Sequence, residues 1–376
     1  MIYFDNAATT RVYNEAIKVM EKVCGEDYFN PSSTYPGGIA AKKIITDARG
    51  IIASVLNCSP NSVYFTSCAT EANNWALTCG LKNRKGNIVV GGGEHACVYE
   101  CAKAMKSSGL DVRFVPLDSD GRVTPSAIAE VMDANTGLVS IIHVSNETGA
   151  INDISSLAET AKSIAPRCVF HSDGVQAFLK TDSDVRKNGV DMYSLSGHKV
   201  GAPKGIGALY ISPKLNIRPF IYGGGQESGL RSGTENVAGI AALGVAIRLY
   251  KEHHDDKSVA ENHDLLINEL KTIPDVSIIA ESAPNTGMIT AFTALGTKAE
   301  IVQTLCTADG VIIGRGSACS SKHSGNRVLS AMGLTQKEID GALRIGLSPE
   351  TTPNEITRAV EIIKTNVEKL RGCRIG

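Results

Sequence analysis

Lys199 stands in the run Ser196-Gly197-His198-Lys199, directly after the apolar stretch Met192-Tyr193-Ser194-Leu195. A lysine held at a strand end in a polar, glycine-containing loop can form a Schiff base with an aldehyde. Upstream, Cys168-Val169-Phe170 leads into His171-Ser172-Asp173-Gly174-Val175-Gln176. A carboxylate at the end of a parallel strand faces the ligand crevice of such sheets. Asp173 can there pair with a pyridinium nitrogen, the partner an electron-sink cofactor needs. Thr66-Ser67-Cys68-Ala69-Thr70-Glu71 joins a strand to a helix start, where free N–H groups and the helix dipole hold phosphate. Glu94-His95 follows another strand and puts an imidazole at the same sheet edge. Singly, each has a plainer reading: a solvated lysine, a capping aspartate, an ordinary helix start, a histidine without chemistry. Together, at the C-terminal strand ends of one sheet, they describe a site for pyridoxal phosphate (PLP).

A second chemistry lies in residues 314–325, Gly-Arg-Gly-Ser-Ala-Cys-Ser-Ser-Lys-His-Ser-Gly. This stretch is rich in glycine and serine and has few apolar anchors. The expectation is a mobile loop that carries the Cys319 thiol between cofactor and acceptor. The thiolate is the nucleophile. A free thiol titrates near about 8.5, and Arg315, Lys322 and His323 favour its ionised form. An inert buried cysteine fits poorly, because no hydrophobic periodicity surrounds it. The other cysteines are scattered, with no CxxC pair, and several (Cys58, Cys79, Cys168, Cys306) sit in apolar periodic segments. That pattern disfavours structural metal or a disulfide framework and suits small buried hydrophobes in a reducing compartment.

The elements that position these groups are legible from periodicity. Apolar runs at 63–66, 88–90, 112–115, 139–144, 168–170 and 192–195 alternate with helical patterns such as 157–164. Repeated βα units with unalternated Val/Ile runs indicate an α/β fold with a mainly parallel sheet covered on both faces. Ile44, Ala48, Ile51, Ile52 and Val55 recur at helical spacing. Thr352-Pro353-Asn354-Glu355 reads as a capping box with proline at the first helical position. The stripe Ile356, Ala359, Val360, Ile363 and Val367 then faces inward. A polar stretch at 253–258 after a helical run suggests a domain boundary: residues 16–255 as a large cofactor-binding domain, with 1–15 and 256–376 forming a smaller α+β domain. The 376 residues suit two such units. A formal charge of −1 gives no basic surplus for a phosphate backbone, which argues against direct nucleic-acid binding. No run reaches membrane-spanning length, and the first residues lack a signal-peptide pattern, so the expected location is cytoplasmic.

The chain resembles the NifS/IscS-type cysteine desulfurases, class V aminotransferase-family enzymes of PLP fold type I. The matches run from Tyr3-Phe4-Asp5-Asn6-Ala7-Ala8-Thr9-Thr10 through Asn30-Pro31-Ser32-Ser33, Ala69-Thr70-Glu71-Ala72-Asn73-Asn74, Glu94-His95 and Asn146-Glu147-Thr148-Gly149. They continue through Asp173-Gly174-Val175-Gln176, Ser196-Gly197-His198-Lys199, Arg231-Ser232-Gly233-Thr234 and Gly316-Ser317-Ala318-Cys319-Ser320-Ser321. The resemblance implies a seven-stranded-type sheet with a smaller domain, and conversion of L-cysteine to alanine with a persulfide formed on Cys319. It implies that Lys199 carries PLP, Asp173 pairs with the pyridine nitrogen, and Gln176 and Asn146 face the ring oxygen. His95 is implied to stack on the ring as acid/base, and Ala69, Thr70, Ser196 and His198 to hold the phosphate. Thr234 is implied to reach the phosphate in the other subunit of a homodimer, and Arg344, with Asn30, to meet the substrate. The implied partners are sulfur acceptors: an iron–sulfur scaffold, or a tRNA or thiamine thiolation enzyme. Cys68 stands where the family usually has glycine, and Ser145 where asparagine is frequent. Other readings are a selenocysteine lyase, another PLP lyase, or a sulfur-delivery scaffold without PLP chemistry.

Overall fold

The computed structural model describes residues 1–81, 86–316 and 326–372. A seven-stranded sheet runs in spatial order Val63–Thr66, Gly207–Ile211, Met192–Ser196, Val169–Asp173, Thr136–Ile142, Asn87–Gly91 and Val112–Val115. Neighbouring strands are parallel except at Gly207–Ile211, which is antiparallel to both strands beside it. The central strands are buried along their whole length. Successive side chains leave on opposite faces: Val89, Val139, Phe170 and Tyr193 enter one core, while Ile88, Leu138, Val169 and Met192 enter the other. Burial on both faces is the reason these runs do not alternate with polar residues. The expected α/β class with a mainly parallel, doubly covered sheet is what the chain adopts.

Two smaller sheets complete the structure. Ala342–Gly346, Ile289–Ala294 and Val276–Ile279 form an antiparallel trio, and Ile2–Phe4 pairs in parallel with Val311–Ile313. The chain then runs from Asp5 to Thr10 along the edge where the large-sheet strands end. There Thr10 N–H and Oγ1 both donate to His198 O, at 2.9 and 3.0 Å.

The helix signals act as their chemistry requires. Thr352 Oγ1 accepts the Glu355 N–H, and Glu355 Oε2 accepts the Thr352 N–H. The helix Pro353–Gly372 buries Ile356, Ala359, Val360, Ile363 and Val367, the stripe expected from spacing. Such a cap is worth about 1 kcal/mol. One bound differs from expectation. The helix read at 157–164 begins earlier, as Ile154–Ile164, because Asp153 accepts the Ser156 N–H and caps it. Only Cys168 and Cys306 are buried among the described cysteines; Cys24 is exposed, and Cys58 and Cys79 are half-buried at the margin of the core.

Candidate active site

Ten of the residues singled out by sequence line one cavity of about 370 Å³: Ala69, Thr70, His95, Asn146, Asp173, Gln176, Ser196, His198, Lys199 and Arg344. They arrive from six places in the chain because the large-sheet strands end at one edge, and the Ala342–Gly346 strand faces that edge. Asn30 and Thr234 are exposed and do not line it. Asn30 Oδ1 instead accepts the Ser32 N–H at 2.9 Å. Cys319 lies outside the described residues. Gly316, three positions before it, does line the cavity.

Lys199 ends a short turn that follows the Met192–Ser196 strand. Its Nζ donates to the carbonyl oxygens of Ala7 and Ala8, at 2.7 and 2.6 Å. Burial, and next the Arg344 charge, bring its amine down to about 8. A lysine so placed reaches its neutral, nucleophilic form near physiological pH.

Asp173 closes its strand at 2% exposure. Oδ1 accepts the Val175 N–H at 3.0 Å and Oδ2 accepts from Asn73 Nδ2 at 2.7 Å. Burial pushes this carboxyl up, opposed first by His95. A cation at the cavity wall would offset that desolvation. Gly174 is required here: a Cβ would come within 2.0 Å of the Tyr193 ring.

Of the pair Glu94-His95, only His95 faces the cavity. Glu94 turns inward, where its Oε1 accepts the Ile142 N–H and burial holds its carboxyl well above the usual range. His95 caps the helix Ala96–Ser107. On the far side, the helix Ala69–Gly80 starts at Cys68 without a side-chain cap, so its first N–H groups keep their hydrogen-bonding capacity for a ligand. Cys68 replaces glycine without strain, since its φ of −172° is extended backbone. Ser145 shapes the next loop by accepting from the N–H groups of Glu147 and Thr148.

Arg344 is 6% exposed, with Nη1 donating to Asn146 O at 2.6 Å and Nη2 to Asp5 Oδ1 at 3.2 Å. Its Nε is buried with no partner among the described residues. A buried guanidinium nitrogen without an acceptor is costly, and a ligand carboxylate would satisfy it. Sequence reasoning gave no role to Asn73, Asp5 or Glu147, although all stand in the quoted motifs. Asn73 was the most detectable: an amide at 0% exposure between Ala72 and Trp75 needs a polar partner.

These residues suit PLP as a set. The cavity joins a depressed lysine amine, a buried carboxylate, an uncapped helix start and an unsatisfied guanidinium, matching the aldehyde, pyridine nitrogen and phosphate of the cofactor and the carboxylate of an amino acid.

The model of the Aminotransferase class-V family matches residues 2–359. The chain belongs to that family. It is 35% identical to the cysteine desulfurase IscS of Methanosarcina thermophila, covering 98% of this chain and 93% of the relative. It is also 35% identical to cysteine desulfurase 2 of Trichormus variabilis, over 99% and 94%. Among solved structures, a NifS-like protein aligns with TM-score 0.91 at 33% identity, covering 98% of this chain and 99% of the other. SspA in complex with cysteine aligns with TM-score 0.83 at 32% identity, over 94% and 100%. Class V aminotransferase-family enzymes use PLP, so this chain is a PLP-dependent enzyme of that fold.

Proposed function

We propose that the enzyme is a cysteine desulfurase that takes sulfur from L-cysteine onto Cys319. The observation that carries this reading is the convergence of Lys199, Asp173, His95 and Arg344 on one cavity whose lining reaches Gly316. The relatives named cysteine desulfurase support it. In this reading Lys199 would attach the cofactor, and Ala69, Thr70, Ser196 and His198 would surround its phosphate. His198 suits a hydrogen-bonding role: burial brings it down to about 3, so without a bound anion it is neutral. Bound PLP supplies an electron sink that makes the substrate Cα proton and Cβ–S bond labile. Asp173 keeps negative charge at the ring-nitrogen position. Arg344 binds the substrate carboxylate through its planar fork. Lys199, once released, takes the Cα proton and returns one to carbon. The Cys319 thiolate attacks the substrate sulfur; the Cβ–S bond breaks, its electron pair stays with carbon and is protonated, and alanine leaves. Cys319 then holds the persulfide for an acceptor, which a reductant or acceptor thiol must collect.

The same reading includes a homodimer with Thr234 completing the partner's phosphate site. Its loop is anchored by two ion pairs, Arg231–Glu71 and Arg49–Glu227, while Thr234 itself is exposed. Exposed Tyr28, Tyr35, Ile39 and Tyr222 offer apolar surface for a second copy. It also places residues 16–255 in the cofactor domain, with 1–15 and 256–376 in the smaller one. The free thiols of the described cysteines suit a cytoplasmic setting. Iron–sulfur scaffolds and tRNA or thiamine thiolation enzymes are the candidate acceptors.

Incubation with L-cysteine and a thiol reductant should yield alanine and sulfide in equal amounts. Pyruvate instead of alanine would overturn the reading, and labelled-sulfur transfer to each acceptor class would rank the partners. Mixing inactive Lys199→Ala and Thr234→Ala subunits should restore partial activity, because one site in the mixed dimer regains both groups; no rescue despite proven exchange would refute shared sites. Arg344→Lys keeps the charge but loses the fork, so KM for cysteine should rise by about 10-fold or more with a smaller change in kcat. An unchanged KM would remove Arg344 from carboxylate binding.

A further inference from the structure

Cys97 stands two residues beyond His95, and its side chain joins groups that the proposed chemistry uses separately. Its Sγ lies 3.0 Å from His95 Nδ1 and 3.2 Å from Asn73 Nδ2. That same Asn73 amide donates to Asp173 Oδ2 at 2.7 Å. The Cys97 backbone N–H also donates to His95 Nδ1, at 3.2 Å. A backbone N–H can only donate, so Nδ1 offers its lone pair, and a neutral His95 carries its proton on Nε2.

The thiol acts in the same sense. Burial first, and then the Asp173 charge, push it up to about 12, so it remains S–H at physiological pH. Its sulfur is met by the Asn73 amide and the Thr70 side chain, and with Nδ1 at 3.0 Å its hydrogen can share that lone pair with the backbone N–H.

We propose that Cys97 is a positioning residue whose backbone N–H and thiol together hold His95 as the Nε2–H tautomer and tie the imidazole to the Asn73–Asp173 pair. The consequence is a division of labour. With Nδ1 engaged and Nε2 protonated, neutral His95 can donate a hydrogen bond into the cavity but has no free lone pair there to take a proton. Proton abstraction falls to Lys199. A second consequence concerns sulfur: Cys97 lines the same cavity, yet as a protonated thiol it does not compete with Cys319 as nucleophile. The tautomer is a property of the chain alone; its catalytic meaning rests on the proposed function.

Histidine-selective ¹⁵N labelling tests the tautomer, with His95→Asn identifying the signal. Neutral His95 should show a protonated Nε2 and an unprotonated Nδ1, in the apoprotein and after PLP loading. A protonated Nδ1 overturns the proposal whatever the activity. The thiol is tested by Cys97→Ala and Cys97→Ser, each checked for normal PLP absorbance. Loss of one hydrogen bond corresponds to about threefold to tenfold in rate, so Cys97→Ala should lower kcat by that factor at unchanged KM. Cys97→Ser, which restores donor and acceptor in the same place, should recover most of it. An unchanged kcat in Cys97→Ala, or equal losses in both variants, would overturn the role of the thiol. If the unaltered enzyme makes no alanine, the function fails while the ¹⁵N result still decides the tautomer.

Discussion

Lys199→Ala should abolish covalent capture of PLP and lower turnover by about four orders of magnitude or more, the scale seen when a group that forms the covalent bond is removed. Borohydride reduction of the unaltered holoenzyme, followed by peptide mass mapping, should place the pyridoxyl group on Lys199. Finding it on Lys204 would sink the assignment. The pH dependence of capture gives a separate check. Only a neutral amine attacks an aldehyde, and burial brings Lys199 down from its ordinary 10.5 to about 8. The neutral fraction therefore grows as pH rises through about 8 and is nearly complete a unit above it. Capture by the apoprotein should accelerate between about pH 7 and 9 and then level off. A rate that keeps climbing toward the ordinary lysine value of 10.5 would mean that the reacting amine is a solvated one.

Cys319→Ala should end alanine and sulfide production while leaving the earlier steps intact. Lys199, Asp173 and Arg344 act before sulfur is attacked, and none of them belongs to the Cys319 segment. The variant should therefore bind PLP, and its visible spectrum should still change on mixing with L-cysteine. In the unaltered enzyme, a brief pulse of labelled cysteine without reductant should leave one extra sulfur on the Cys319 peptide. Cys68 and Cys97 are the internal controls, since both line the cavity. Label on either of them, or normal turnover by Cys319→Ala, would defeat the desulfurase mechanism. The high proton affinity that burial gives Cys97 is the physical reason to expect no label there.

The sequence alone determined what local burial and local hydrogen bonding impose. Strands buried on both faces are largely apolar, so Asn87–Gly91 and Met192–Ser196 were readable within a residue or two. A capping box closes within four residues, so the start of the Pro353–Gly372 helix was readable too. Lys199 and Asp173 were legible because each sits in a short motif directly after such a strand. Strand direction is different: nothing within Gly207–Ile211 states that it runs against both neighbours, because direction depends on where the chain returns. The strand Val276–Ile279 was not read at all, since it is half-exposed and four residues long, too little for a periodic signal. Asp5, Glu147 and Asn73 gained their roles only from tertiary structure. Asn73 meets Asp173 across 100 positions, Asn326 meets Glu147 across 179, and Arg344 meets Asp5 across 339. No residue pattern encodes a partner that far away; packing of the sheets brings them together. The tie between Cys97 and His95 spans two positions, yet it too needed the fold, because only burial beside Asn73 and Asp173 turns an adjacent thiol into a fixed donor.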